Sequence, residues 1–238
     1  PYTRFPGVRL KPLIHLSGCA DFNRTAVRTR GSGNGKIEHN AGMNIDKWRH
    51  YVRARLFELL GNHERALAEY HAAFQTDPGF GKAANALAWR YSSAGRHAEA
   101  IRYFGEAVRL QPGDAFALYN LGFVLAKNHQ PREAIESFRS AVALREGFDR
   151  AWYGMGLAHA TLGEHRAAME AFEKAARLQP MSAPAWYQLG MACFHAREPD
   201  RLHQVIHHLN RFDPRMAKRL ILETGTSDLA YLVKDLVV

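Results

Sequence analysis

A repeat of 34 residues constrains this chain more than any other feature of its sequence. One set of positions on this interval holds Pro78, Pro112, Glu146, Pro180 and Pro214. Four further sets keep the same interval. They are Gly61, Gly95 and Gly163, with His129 and Arg197 at the other two positions; Ala66, Ala100, Ala134, Ala168 and Leu202; Tyr70, Phe104, Phe138, Phe172 and Ile206; and Ala73, Ala107, Ala141, Ala175 and Leu209. Five sets on one period predict five stacked copies of one structural unit.

Each copy has the pattern of two amphipathic helices. Leu87 and Tyr91 are four residues apart, so both lie on one face of a first helix. Ala100, Phe104 and Ala107 have similar spacing on a second helix, where small residues let two helices approach and the ring fills the remaining volume. Each hairpin leaves an apolar face uncovered until its neighbour packs on it. We therefore expect stability to come from the array.

These residues resemble the tetratricopeptide repeat, as the fourth unit illustrates. Its motif residues are Trp152, Met155, Gly156, Gly163, Ala168, Phe172, Ala175 and Pro180. The resemblance implies an all-α fold, a right-handed superhelix (α-solenoid) of five helix-turn-helix repeats with a C-terminal capping helix. The expected repeats are 47–80, 81–114, 115–148, 149–182 and 183–216. Because the shared residues build the scaffold, they say little about a ligand.

The fifth unit departs from the pattern. Leu202, Ile206 and Leu209 replace the small-large-small set, and Arg197-Glu-Pro199 replaces the glycine turn. We expect its second helix to pack differently from the others, as a terminal unit.

Residues 217–238 predict C-terminal capping helices. Ser227 or Asp228 is a suitable helix cap, and apolar residues follow at helical spacing. They are Leu229, Leu232, Val233, Leu236 and Val237. This stripe covers the open end of the solenoid, docks into its concave groove, or pairs with another chain.

Residues 1–46 have a different character. They lack a helical period, contain Arg-Gly-Ser-Gly-Asn-Gly at 30–35, and carry seven Lys/Arg against three Asp/Glu. We expect a flexible basic arm and interpret Met43 as the natural start, with the preceding residues not native. An alternative rests on Leu16-Ser17-Gly18-Cys19, which resembles the lipobox at which bacterial lipoproteins are cleaved and acylated. A lipid anchor through Cys19 is thus the alternative to a cytoplasmic location.

Composition and motifs argue against several classes of protein. No run approaches the roughly 20 apolar residues of a membrane-spanning helix, and Cys19 and Cys193 have neither metal-ligand nor redox spacing. The net charge of +9 raises the question of nucleic acid as a ligand. Most basic residues share helices with Glu, which argues against that ligand.

The sequence contains no phosphate loop, dinucleotide fingerprint or Gly-x-Ser-x-Gly elbow. The pair His203 and His207 lacks a glutamate base. We expect no catalytic residue, no metal and no cofactor.

The resemblance implies that first helices line the concave groove through positions 2, 5, 9 and 12 of each unit. The candidate groove residues are Tyr51, Arg55, Asn85, Trp89, Phe116, Tyr119, Asn120, Phe123, Arg150, Tyr153, Leu157, Tyr187, Met191 and Phe194. Apolar residues dominate position 9, which predicts a pocket for a helical or extended peptide with apolar or aromatic anchors. The alternative is that the chain's own arm or last helix fills the groove.

Some members of the family clamp a partner's terminal carboxylate with Lys, Asn and Arg. Asn120 and Arg150 fit that pattern, but Asn85 and Trp89 stand in the preceding unit without the lysine. We do not predict that specificity.

The function predicted from the sequence is a non-catalytic scaffold for protein–protein interaction. The alternatives are a substrate-binding arm of a larger enzyme, such as a glycosyltransferase or methyltransferase, and an outer-membrane-type lipoprotein assembly factor. A basic cluster near the C-terminal end is either solvated surface or a site for an acidic partner or phosphate. Its residues are Arg201, His203, His207, His208, Arg211, Arg215, Lys218 and Arg219. The sequence leaves the oligomeric state open.

Overall fold

The structure is a computed structural model, and it describes residues 45–233 of the 238-residue chain. The predicted basic arm, the Met43 start, the Cys19 anchor and the last apolar residues, Leu236 and Val237, lie outside this range. The described part is helical, with eleven α-helices, a final 3-10 helix and no strand. The helices are α1 Ile45–Leu59, α2 His63–Thr76, α3 Gly81–Ser93, α4 His97–Leu110, α5 Ala115–Lys127, α6 Pro131–Leu144, α7 Asp149–Thr161, α8 His165–Leu178, α9 Ala183–Ala196, α10 Pro199–Asn210 and α11 Pro214–Thr224, followed by the 3-10 helix Ser227–Val233.

The helices pack in the order of the chain. Each odd-numbered helix from α1 to α9 pairs with the helix that follows it, and each second helix packs on the first helix of the next hairpin. First helices of neighbouring hairpins also touch, because α5 packs on α7 and α9 packs on α11. Within residues 45–233, no two second helices pack on each other as extensively as these pairs do. The first helices therefore form the inner, concave layer and the second helices the outer layer. The predicted all-α, right-handed solenoid of five helical hairpins is confirmed.

Aromatic rings from the second helices hold the hairpins together. Phe138 is fully buried, and its ring lies between Gly122 of its own hairpin and Gly154 of the next. A Cβ atom on Gly122 would lie 2.9 Å from this ring, and one on Gly154 would lie 2.7 Å from it. Real Cβ atoms do not approach carbon this closely, so only glycine fits at either position. Phe172 meets Gly156 in the same way, at 2.7 Å.

The turn inside each hairpin places one residue in the left-handed region of backbone conformation. Three of the five are the periodic glycines, with φ of +72° at Gly61, +74° at Gly95 and +76° at Gly163. His129 and Arg197 occupy the same repeat position with φ of +60° and +61°. A side chain is disfavoured there by about 1–2 kcal/mol, so packing on both sides imposes the turn.

The fifth hairpin resembles the others more than its sequence predicts. Arg197 forms the same left-handed turn, and Leu202, Ile206 and Leu209 are buried at the positions of the small-large-small set. The difference is one of length, because α10 has 12 residues where α8 has 14. The larger side chains fill the space that a neighbouring ring fills elsewhere.

The C-terminal end of the solenoid is covered. Helix α11 packs on α9 and α10 as the first helix of a further hairpin would, and Leu220 lies directly against Gly190. The 3-10 helix then packs on α11, burying Leu229 and Val233. As far as Val233, the apolar stripe therefore covers the end of the array and stays out of the concave groove.

At the N-terminal end of the described residues, α1 is the first helix of the array. Helix α1 buries Ala54 against its neighbours and exposes an apolar stripe on the opposite side. The stripe consists of Ile45, Val52, Leu56 and Leu59. In the other hairpins this side of the first helix packs on the preceding second helix.

Replacing Gly154 by alanine should destabilise the array, because the new Cβ meets the Phe138 ring inside a close-packed core. We expect a loss of about 1–3 kcal/mol, measured as a lower urea midpoint by circular dichroism. Gly105 is the matched control, since a Cβ there has nothing within 4 Å and alanine favours the α4 helix by up to about 1 kcal/mol. Equal midpoints for the two variants would contradict the packing described here.

Candidate functional site

Several apolar side chains of the inner layer are only partly buried. Trp89, Leu157 and Met191 occupy equivalent positions on α3, α7 and α9, and each is half-buried. Phe116 is also half-buried, and Phe194 is 40% exposed. These five side chains are called the groove floor below. Phe123, the equivalent residue on α5, is only 7% exposed and contributes mainly to the core.

The tyrosines at the fifth position lie deeper than the groove floor. Tyr119, Tyr153 and Tyr187 are almost fully buried, whereas Tyr51 and Asn85 are half-buried. The rings pack on the aromatic residues of the second helices, with centroids 5.9 Å apart for Tyr119 and Phe138 and 5.5 Å apart for Tyr153 and Phe172. The buried tyrosines therefore support the groove from beneath.

Two of these tyrosine positions lie beside a carboxylate that is hydrogen-bonded within the protein. At the C-terminal end the Tyr187 hydroxyl donates to Glu223, which also accepts from Arg219 Nε at 2.8 Å. Burial and this carboxylate raise the pKa of Tyr187 to about 12. At the N-terminal end Tyr70 donates to Glu58 at 2.8 Å, beside Tyr51.

Arg55, one of the predicted groove residues, belongs to the N-terminal cluster. Its Nη1 donates to Glu58 Oε2 at 3.0 Å, and Glu58 also receives the Tyr70 hydroxyl. Arg55 is therefore engaged within the protein.

Three polar atoms in the inner layer are shielded from solvent without a well-directed hydrogen bond to the protein. They are Trp89 Nε1, the Tyr153 hydroxyl and Gln188 Oε1. Gln188 is only 2% exposed. Burial raises the pKa of the Tyr153 hydroxyl, and the adjacent Gln188 side chain partly offsets this. The Gln188 side chain and the Tyr153 hydroxyl thus lie against each other inside the inner layer, out of reach of solvent.

Gln188 was not among the residues selected from the sequence. It occupies the same repeat position as Asn120, which is also buried, at 3% exposure. That shared position was the available signal. Arg150, the other residue of the incomplete carboxylate clamp, is exposed and close enough to Tyr119 to oppose the rise in pKa that burial causes there.

The C-terminal basic cluster is largely engaged within the protein. Arg201 Nη2 lies 2.8 Å from Glu173 Oε2, and His203 Nε2 lies 3.3 Å from Asp228 Oδ2. The His208 ring packs on Trp186 with centroids 4.0 Å apart. The cluster thus presents fewer free charges than its sequence indicates.

The described residues contain neither a metal-binding cluster nor a membrane-spanning helix. Across positions 45–233, no group of three or more His, Cys, Asp or Glu side chains is arranged to hold a metal ion. No helix in that range has the length and apolarity needed to cross a membrane.

A cavity of about 520 Å³ lies on the outer layer, between α6 and α8 and above α7. Its walls include Trp152 and His159, and the two arginines that line it are each paired with a carboxylate. Arg139 Nη1 is 2.6 Å from Glu136 Oε1, and Arg177 Nη2 is 2.7 Å from Glu173 Oε1. This arrangement is typical of a solvated surface.

Residues 85–147, 119–180 and 153–201 each match the family model described as tetratricopeptide repeat. Together with the five helical hairpins and their shared turn, these matches identify the class of protein. The chain belongs to the tetratricopeptide-repeat family. No curated protein matches the sequence.

Solved structures of the same fold cover most of the chain. MamA is 21% identical, with a TM-score of 0.66 over 82% of this chain and 99% of that one. YrrB, described as a TPR protein with an unusual peptide-binding site, is 25% identical, with a TM-score of 0.66 over 73% of this chain and 91% of that one. PilF of Pseudomonas aeruginosa is 20% identical, with a TM-score of 0.60 over 81% and 94%. MamA and PilF show the fold alone, and the likeness to YrrB supports a protein-interaction scaffold in general terms.

Substituting Tyr187 and Tyr153 by phenylalanine should show which of the two hydroxyl groups contributes to stability. Tyr187→Phe removes the hydrogen bond that links α9 to Glu223 of α11, so we expect a loss of about 1 kcal/mol. Tyr153→Phe removes a hydroxyl without a well-directed partner, so stability should change by less than about 0.5 kcal/mol. Urea denaturation of both variants measures the difference. A larger loss for Tyr153→Phe would show that its hydroxyl is satisfied within the protein.

Proposed function

We propose that this chain is a non-catalytic scaffold that holds a peptide segment or helix of a partner protein in its concave groove. The observation that carries the proposal is the groove floor, in which half-buried apolar side chains from four consecutive first helices line one surface. Soluble proteins seldom leave so continuous an apolar surface without a function. Partner side chains of apolar or aromatic character fit it.

The groove is preformed, which favours binding. Its floor is fixed from beneath by buried tyrosines and by rings wedged against glycines. Little conformational entropy is therefore lost when a partner binds. The apolar floor side chains supply anchoring contacts, the kind that dominate most interfaces.

The likeness to YrrB is consistent with a peptide ligand, since that protein is described as having a peptide-binding site. It does not identify the partner of this chain.

Removing two accessible floor side chains should abolish partner binding. We expect Trp89→Ala combined with Phe194→Ala to weaken binding at least tenfold, because buried anchors typically contribute about 2 kcal/mol or more. The measurement is a comparative capture from native lysate with the full chain, read by mass spectrometry and followed by titration of each captured partner.

The matched control is Leu144→Ala combined with Leu178→Ala, which removes exposed apolar side chains from the outer layer. Proteins retained by the control and lost by the groove variant support the proposal. Equal capture by all three proteins would place the binding surface elsewhere. Phe123 is unsuitable for this test because it is buried, and its loss would cost about 3–5 kcal/mol of stability.

A further inference from the structure

Acidic residues are distributed unequally between the two layers of the solenoid. Helices α3, α5 and α9 of the inner layer contain no Asp or Glu, and α7 contains only Asp149, at its first residue. The outer helices contain many. They are Glu64, Glu69, Glu99, Glu106, Glu133, Glu136, Glu170, Glu173 and Asp200. This unequal distribution leaves the middle of the groove almost without negative charge.

Basic residues are present in both layers, and several of the outer ones are neutralised, while others, such as Arg132 and Lys174, form no ion pair within residues 45–233. Arg109 pairs with Glu106 at 2.9 Å, and Arg96 pairs with Glu99. The basic residues of α3, α5 and α7 are Lys82, Arg90, Lys127 and Arg150. Within residues 45–233, none of these four forms an ion pair with a carboxylate.

Cations also lie over the aromatic side chains of the inner layer. Lys127 Nζ is 5.8 Å from the centroid of Phe123, and the Arg90 guanidinium is 5.6 Å from that of Trp89. The Arg145 guanidinium is 5.3 Å from the ring of Phe116. A cation held over a ring keeps its remaining N–H groups available. Each of these rings therefore has a positive charge beside it.

We propose that the occupant of the groove is an acidic peptide segment, in which Asp or Glu residues flank apolar or aromatic anchors. This inference rests on the proposed function and specifies the partner's chemistry. Anchors on the groove floor bring the flanking carboxylates next to Lys127, Arg90 and Arg150. Complementary charge raises the association rate and disfavours basic partners.

A nucleic acid fits the same surface less well. Sequence-tolerant binding of single strands needs exposed aromatic faces on which bases stack. Here Phe123 is almost fully buried, and Trp89 and Phe116 are only half-exposed beneath their cations. The apolar floor instead matches side chains of a protein.

The test is selection of a phage-displayed library of random 12-residue peptides on the immobilised full chain. Selected peptides are then measured by fluorescence anisotropy at low and high NaCl. We expect Asp and Glu to be enriched around Phe, Trp or Leu, and affinity to fall as salt rises. Lys127→Glu combined with Arg150→Glu should weaken binding at least about tenfold. Arg132→Glu combined with Lys174→Glu makes the same change in net charge on the outer layer and should have little effect.

The outcomes separate this inference from the proposed function. Peptides that lose binding to the Trp89→Ala and Phe194→Ala variant, but show no acidic enrichment and no response to Lys127→Glu with Arg150→Glu, overturn the inference and leave groove binding in place. Peptides that bind the Trp89→Ala and Phe194→Ala variant as tightly as the wild type, or an absence of selected peptides, overturn both. Displacement of a selected peptide by a single-stranded oligonucleotide would indicate a nucleic-acid site instead.

Discussion

The distance between neighbouring hairpins is set by an aromatic ring pressed against glycine. Phe138 touches Gly122 and Gly154 so closely that neither position has room for a Cβ atom. Because a close-packed core tolerates little change in volume, this contact fixes how far α7 stands from α6. The ring of Phe172 meets Gly156 of its own hairpin in the same way. The shape of the groove thus depends on a packing interaction that a ligand would never touch.

The depth of each inner side chain follows from that spacing. Tyr119 and Tyr153, at the fifth position, pack on the rings of the second helices and are buried, while ninth-position side chains such as Trp89 and Leu157 remain half-exposed. The groove floor consists of the apolar residues that the packing of the hairpins does not cover. Most acidic residues of the central hairpins, in contrast, lie on the outer helices, where Glu106 and Glu136 pair with Arg. The two helices of each hairpin therefore differ in composition, and the inner layer is apolar and positively charged.

The sequence predicted the fold well because its 34-residue repeat follows from the backbone geometry of the helical hairpin. Even the turns at His129 and Arg197, which lack glycine, were placed by the 34-residue interval. The site was predicted less well. Helical spacing shows which face of a helix a residue occupies, but the depth of Tyr153 and the pairing of Arg55 with Glu58 depend on neighbouring helices. Gln188 was missed because a polar residue on an inner helix reads as exposed, whereas it is buried beside Tyr153.

The two ends of the solenoid differ in what they allow. At the C-terminal end, α11 and the 3-10 helix bury the last apolar surface of the array. At the other end, α1 keeps an apolar stripe of the kind that a preceding hairpin covers elsewhere. A hairpin inserted ahead of α1 would find a ready surface, whereas one added after Val233 would first have to displace the cap. Engineered extension of the array that residues 45–233 form is therefore favoured at α1.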